Sequence, residues 1–230
     1  MKFGLPSYLN VLPLALFVKK SRLSAAQKAA ISKAAKVPSA LNKALLKGKL
    51  NGALSSSIAS AAPRYKRLNL GICAYKKVNS VLVKKNSSAK ADSASASSNA
   101  LASVLGFKAE VLIGDRALKA LFDEPDNYID LASTWYKSTH LPFTFGHFAC
   151  HKNSLAKYQR FFAPFLKESN TASKRLKIPF ILAQKEAEKR GISLQFLRQY
   201  LSLIYYEMGV KENKARLSFL RKARSLRFAN

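Results

Sequence analysis

Short apolar runs separated by longer amphipathic stretches set the pattern of this chain. Residues 2–5, 52–54, 68–74, 78–83 and 109–113 are brief and strongly apolar, the form taken by strands of a buried sheet. Between them, residues 25–36 are alanine-rich and helical. Residues 39–47 repeat the helical pattern, with Ser39 in N-cap position and Gly48 as the stop signal. Strands alternating with helices indicate an α/β fold.

Gly114 and Asp115 open a short helix over 116–122. Residues 127–139 read as another, with Leu131 and Trp135 four apart on one face, and residues 141–149 return as an extended aromatic run. From Asn153 onward the period is helical throughout. Leu155, Tyr158, Phe161, Phe162 and Phe165 form one stripe, and Phe196, Leu197, Tyr200, Leu201 and Ile204 another, so the last third is expected to be all helix. A βα half, a βα insert and a helical tail predict two lobes. Residues 1–79 begin lobe 1, 80–146 form lobe 2, and 147–230 return to lobe 1 and end in the tail, with crossings near 77–80 and 145–148. Residues 87–98 are Ser- and Ala-rich and have the composition of a linker, yet Ser97 and Ser98 directly precede an apolar helical pattern and so stand at a helix start.

At 230 residues and 48% apolar, the chain is long enough to bury a core. No stretch reaches the roughly 18 apolar residues of a membrane helix. The apolar run near the start is interrupted by Asn10 and Pro13 and followed by Lys19, Lys20 and Arg22, which does not suit a cleaved leader. Cys73 and Cys150 lie in apolar contexts and read as buried free thiols, fitting a reducing cytoplasm. Forty Lys and Arg against twelve Asp and Glu give a formal charge of +28. Spread from Lys2 to Arg227 rather than gathered into one stripe interleaved with aromatics or glycines, this charge reads as a solvated basic surface rather than a nucleic-acid module, and no membrane partner is expected. Only residues 211–227 concentrate it, where Arg216, Arg221, Arg224 and Arg227 accompany Leu217, Leu220 and Leu226. Nonspecific adsorption to nucleic acid is expected there.

His147 and His151 are four apart but lie in an extended run with no third ligand near, and no phosphate loop, nucleophile elbow or Cys-x-x-Cys occurs. Neither metal nor cofactor is expected. What remains is a series of small hydroxyl residues at strand-to-helix junctions: Ser39, the run Ser55, Ser56 and Ser57, then Ser80, Ser97 and Ser98. Each alone reads as a cap or turn. Together, with the free N–H groups of helix starts, they read as a cleft for carboxylates.

Ordered motifs then carry a family resemblance. Ser7-Tyr8-Leu9-Asn10 with Pro13-Leu14, Pro38-Ser39, Ser56-Ser57-Ile58, Val78-Asn79-Ser80-Val81-Leu82 and Ser95-Ala96-Ser97-Ser98 are followed by Ile113-Gly114-Asp115-Arg116-Ala117-Leu118. Asp130-Leu131, Trp135, Thr139, Leu141-Pro142-Phe143 and Phe145 complete the series. In this order they resemble the chorismate dehydratases of menaquinone biosynthesis, over about residues 2–148. A sister family, the dihydroxynaphthoate synthases, opens with a Cys-Pro-Asn-Asp type motif that is absent here. Asn51 stands where the family has Asp, Phe148 where it has Trp, residues 84–92 are shortened, and the high basic charge is not a family trait.

The resemblance implies an α/β, two-lobed, periplasmic-binding-protein type II-like fold with a helical C-terminal tail. It implies a hydro-lyase converting chorismate to 3-[(1-carboxyvinyl)oxy]benzoate and water, the first step of the futalosine route to menaquinone, with no cofactor. Asn10 would act on the departing hydroxyl or the developing charge. Ser39 and Ser57 would hold one carboxylate and Ser97 and Ser98 the other, either way round, with Ser56, Ser80 and Tyr8 also touching substrate. Asp115 reads as a helix cap and Asp130 and Trp135 as packing, so the set holds no obvious base. The enolpyruvyl carboxylate of chorismate would then take the ring proton itself. Two other functions fit the same residues: a non-catalytic carboxylate-binding protein of this fold, and a basic nucleic-acid-binding protein. A monomer or a homodimer is expected.

Overall fold

The computed structural model describes residues 1–169 and 178–226; Arg227 of the C-terminal basic stretch lies outside them. The strands are β1 (Phe3–Gly4), β2 (Gly52–Ser56), β3 (Lys66–Ala74), β4 (Val81–Lys84), β5 (Val111–Ile113), β6 (Tyr128–Asp130), β7 (Phe143–Cys150) and β8 (Ile204–Glu207). They form two sheets. A five-stranded sheet has the order β1-β2-β7-β3-β8 and a three-stranded sheet the order β5-β4-β6. Only the β1–β2 pair is parallel, and all other neighbours run antiparallel. The helices are α1 (Leu12–Lys20), α2 (Ala25–Lys33), α3 (Pro38–Leu46), α4 (Ala96–Val104), α5 (Gly114–Asp123), α6 (Leu131–Thr139), α7 (Leu155–Ser169), α8 (Phe180–Glu188), α9 (Leu194–Ser202) and α10 (Val210–Ser225).

Aromatic packing holds the larger sheet. Phe3 on β1 and Phe148 on β7 meet Tyr158 and Phe162 of α7 edge to face, with ring centroids 4.9–5.9 Å apart. Gly52 makes that approach possible, since a Cβ there would lie 2.8 Å from the Tyr158 ring and 2.9 Å from that of Phe148. The buried members of the α7 stripe are Tyr158, Phe162 and Phe165, as helical spacing predicts. Trp135 is wholly buried, donates to the Pro142 carbonyl at 3.0 Å and stacks edge-on with Phe143 and with Phe219 of α10. One ring of the last helix thus packs against α6, which follows the smaller sheet, and against β7 of the larger.

Local chemistry moves several elements from where periodicity puts them. α3 begins at Pro38, whose fixed φ suits the first helical position, so the N-cap is Val37 and Ser39 lies inside the first turn, its N–H donating to the Ala94 carbonyl at 3.1 Å. Residues 128–130, expected as helix, pair with β4 as β6; Asp130 then caps α6 by accepting from the Ser133 N–H at 2.9 Å. The last third is not all helix, because Ile204–Glu207 is an edge strand on β3. Its Ile-Tyr-Tyr sequence alternates faces and suits a pleated surface. Ile204 therefore leaves the helical stripe it was grouped with.

Linker composition at 87–98 conceals a fixed segment. Ser87 Oγ donates to the Lys84 carbonyl and accepts from the Glu110 N–H, Asn99 binds both backbone groups of Asp92, and Asp92 pairs with Arg116. In the C-terminal apolar series Leu220 is buried but Leu217 and Leu226 are exposed, while Arg216 of α10 is buried.

The first passage between the sheets is held by Asp130. Its Oδ2 accepts from the N–H groups of Val78 at 2.9 Å and Asn79 at 2.6 Å, Asn79 sitting at φ +60°. Burial raises this carboxyl above the ordinary value, against the pull of those N–H groups. On the return, β7 joins the larger sheet already at Phe143, opposite Ala74. Among the described residues no helix is long and apolar enough to cross a membrane.

His147, at the middle of β7, brings its Nε2 to 2.6 Å from the Leu68 carbonyl, while Nδ1 is buried without a partner. Burial pushes its pKa down to about 4, and nearby Arg216 and Arg67 push the same way. Unfolded, the imidazole takes its proton near pH 6.5; folded, only near 4. Between these values the unfolded chain binds more protons, so stability is full above pH 6.5 and declines as pH falls towards 4, by up to about 3 kcal/mol. Denaturant melts at pH 7 and 4.5 should show this loss, and His147→Gln should reduce the difference between the two pH values. An equal difference in both proteins would show that His147 does not carry it.

Candidate functional site

A cavity of about 50 Å³ opens between the two sheets, its walls drawn from both. From the larger sheet come Leu54, Ser55 and Ser56 of β2, Ile72 of β3, and Phe145 and Gly146 of β7; from the passage and the smaller sheet come Ser80, Val81, Ile113 and Gly114. Tyr8 and Asn10 follow β1, Pro38 starts α3, and Ser95 and Ser98 belong to the start of α4. A single water needs about 10–15 Å³ of such space. The cavity thus offers room for a few waters.

Asn10 sits in a 3-10 turn over Leu9–Val11 that is tied down on both sides. The Tyr206 hydroxyl donates to the Asn10 carbonyl at 2.8 Å, and the Leu9 N–H donates to Asp115 Oδ1 at 3.3 Å. Asp115 Oδ2 lies 2.9 Å from Nε of Arg190, a side chain only 8% exposed that also pairs with Glu186. Asp115 thus does not cap α5, whose N-cap Ile113 has no side-chain bond; it joins the Asn10 turn to the end of α8. These bonds leave out one atom of the Asn10 side chain. Asn10 Oδ1 is buried with no hydrogen-bond partner, and its amide lies beside the phenol of Tyr200. Tyr200 donates to Ser80 Oγ at 3.1 Å, and burial raises its pKa above the ordinary value. Tyr8, half-buried, is pushed up to about 12 by burial and then by Asp92 and Asp115.

The hydroxyl series divides into two groups. Tyr8, Asn10, Ser56, Ser80 and Ser98 line the cavity; Ser39, Ser57 and Ser97 do not. Ser57 donates to the Thr144 carbonyl across the sheet, and Ser97 Oγ accepts from the Ile58 N–H at 3.0 Å, so both are occupied in joining backbone segments. Ser98 instead meets Ser95, the N-cap of α4, with Oγ atoms 2.9 Å apart. Ser56 Oγ accepts from Asn42 Nδ2 at 3.1 Å, and Asn42 Oδ1 accepts from Ser55 Oγ at 2.5 Å. Serine hydroxyls with a proton left to donate, together with the N–H groups at the start of α4, can hold the anionic oxygens of a small molecule. Asn42, Ser95 and Tyr200 belong to this cluster without having been singled out from sequence. Ser95 lies inside a quoted motif and is read over because its neighbours match too. Tyr200 falls in a helical aromatic stripe, where its spacing looks like core packing alone.

A family model described as menaquinone biosynthesis matches residues 1–106 and 93–225. The chain belongs to this family. A chorismate dehydratase of Campylobacter jejuni is 41% identical over 230 residues, all of both chains. Among solved structures, a protein of Archaeoglobus fulgidus superposes with a TM-score of 0.65 at 12% identity, covering 98% of this chain and 97% of that one. An alkanesulfonate-binding protein of Xanthomonas axonopodis bound to MOPS gives 0.59 at 12% identity, covering 100% and 94%. The periplasmic aliphatic sulphonate binding protein of Escherichia coli gives 0.53 at 12% identity, covering 99% and 86%. The fold is therefore the α/β periplasmic-binding-protein type with a helical C-terminal region, as the family resemblance implied.

Gly114 links both walls of this family member's cavity. It sits at φ +62°, donates its N–H to the Ser80 carbonyl at 2.8 Å, and a Cβ there would lie 2.6 Å from the Tyr8 ring. Gly114→Ala should cost about 1–3 kcal/mol in a denaturant melt and displace Tyr8. A variant as stable as the parent would show that the turn and ring relax freely.

Proposed function

We propose that the protein is a chorismate dehydratase, removing water from chorismate to give 3-[(1-carboxyvinyl)oxy]benzoate as the first step of the futalosine route to menaquinone, in the cytoplasm. The observation that carries this reading is Asn10 Oδ1, buried and without a hydrogen-bond partner, in a cavity also lined by Ser56 and Ser98. Full-length identity of 41% to a chorismate dehydratase supports the same substrate.

Chorismate carries two carboxylates, and in this reading Ser56 with Asn42 behind it holds one, while Ser98 and the N-terminal N–H groups of α4 hold the other. Ser39, Ser57 and Ser97 then act from behind the wall, keeping the strand ends in place. The ring lies beside Asn10. The ring C–H bond breaks and its proton goes to the enolpyruvyl carboxylate; the C–O bond to the ring hydroxyl breaks with the Asn10 amide N–H donating to the leaving oxygen, which takes that proton from the enolpyruvyl carboxyl group and departs as water. The new double bond completes the aromatic ring, which drives the step. Tyr200, hydrogen-bonded to Ser80 and beside Asn10, orients that amide. In this reading residues 1–79 and the described residues from 147 on form one lobe about the larger sheet and 80–142 the other; residues 143–146, expected in the second lobe, already pair within the larger sheet as part of β7, and substrate enters as the lobes part.

Incubation with chorismate, without added nucleotide, should yield a product lighter by one water in mass spectrometry. Measurable chorismate binding without that product would replace the enzyme with a binding protein of the same fold. Ser56→Ala and Ser98→Ala should each raise KM about tenfold with kcat little changed, the mark of lost ground-state binding. Unchanged KM in both would remove the serines from the carboxylate sites.

A further inference from the structure

All twelve Asp and Glu of the chain lie at or after Asp92, so residues 1–91 hold Lys and Arg with no carboxylate side chain among them. The fold gathers part of this charge around one groove. Between α2, α3 and the edge strand β1 lies a second cavity of about 520 Å³, with Lys2, Lys33, Lys36, Lys43, Lys47 and Lys49 along its rim. All six are exposed and none forms an ion pair with a described carboxylate. The floor is apolar, built from Ile31, Leu41 and Leu50. Next to Lys36 in the chain Val37 is 38% exposed, and next to Lys47 Leu46 is 57% exposed.

We propose that this face docks the protein on an anionic lipid bilayer. Ammonium groups on flexible stems attract a negative headgroup layer, while exposed aliphatic side chains between them enter its acyl boundary. A nucleic-acid groove interleaves its cations with exposed aromatic rings for stacking and favours guanidinium for phosphate. Here the rim is lysine alone and the only aromatic ring in the lining, Phe3, is buried in the sheet. A small free anion would leave most of six separated charges unmet. The bilayer answers both the charge and the exposed Val37 and Leu46, against the expectation from sequence that no membrane partner exists. It also accounts for an excess of charge that the serine cavity, lined without a single ionic side chain, does not require.

Cosedimentation of the full chain with vesicles tests this. Vesicles of phosphatidylglycerol and phosphatidylcholine in equal parts should bind it at about 0.1 M salt, where charges are screened beyond about 10 Å, and vesicles of phosphatidylcholine alone should not. The triple variant Lys43→Gln, Lys47→Gln, Lys49→Gln should bind at least about tenfold more weakly, and Leu46→Ser about threefold. A charge-matched triple variant on the other sheet's side, Lys85→Gln, Lys108→Gln, Lys137→Gln, should stay within about threefold of the parent. Thermal melts confirm that each variant is folded. Equal losses in the two triple variants would reduce the effect to net charge and overturn the proposal. So would absent vesicle binding, or binding to mixed-sequence DNA that the groove variant alone loses.

Discussion

A hydroxyl or amide taken out of water must find a partner, and the space between the two sheets is filled with such groups. The chain meets this demand for Ser57 and Ser97 by bonding them to backbone on the neighbouring segment, and for Ser80 through Tyr200. Ser55 and Ser56 share Asn42, and Ser95 and Ser98 share each other. Asn10 Oδ1 is the member of this group left without a bond. An unsatisfied acceptor in a cavity costs on the order of 1–3 kcal/mol, which the fold bears and a bound ligand can recover. The proposed chemistry is centred on this unmet group.

The few carboxylates reinforce that arrangement. Asp130 fixes the passage between sheets, Asp115 with Arg190 fixes the Asn10 turn, and Asp92 with Arg116 fixes the segment leading into α4. In a chain this basic, most Lys and Arg have no carboxylate to meet, and these joints are where the scarce acids stand. Packing adds the last link, since Phe219 of the final helix lies against both Trp135 and Phe143. The turn that carries Asn10 is therefore held from α5, α8 and β8, elements far apart in sequence.

Much of this was legible in the order of residues. The short apolar runs mark β1, β2, β3 and β5, and the aromatic spacing of α7 and α9 marks their buried faces, because burial on one face leaves a period in the sequence. β6 and β8 were not, since strands of three or four residues next to helices are decided by their partner strand rather than by their own pattern. Of the serines expected at strand-to-helix junctions, Ser97 and Ser98 stand at the start of α4, whereas Ser39 lies inside α3, Ser55 and Ser56 within β2, and Ser80 just before β4. Motif resemblance did not separate Ser56, Ser80 and Ser98, which face the cavity, from Ser39, Ser57 and Ser97, which do not, because a hydroxyl's orientation is set by which distant carbonyl or N–H it meets. Asn42 and Tyr200 left no local signal, as their partners are fourteen and 120 residues away in the chain.

The central claim is that Asn10 acts on the reacting bond while the serines hold the ends of the substrate. Chorismate affinity and single-turnover rate measured together on Asn10→Ala test it most directly. The account predicts a dissociation constant within about threefold of the parent and a rate at least about a hundredfold lower, since removing one polar group that stabilises developing charge costs roughly that much. A rate unchanged in the variant, or a loss carried wholly by weaker binding, would contradict it.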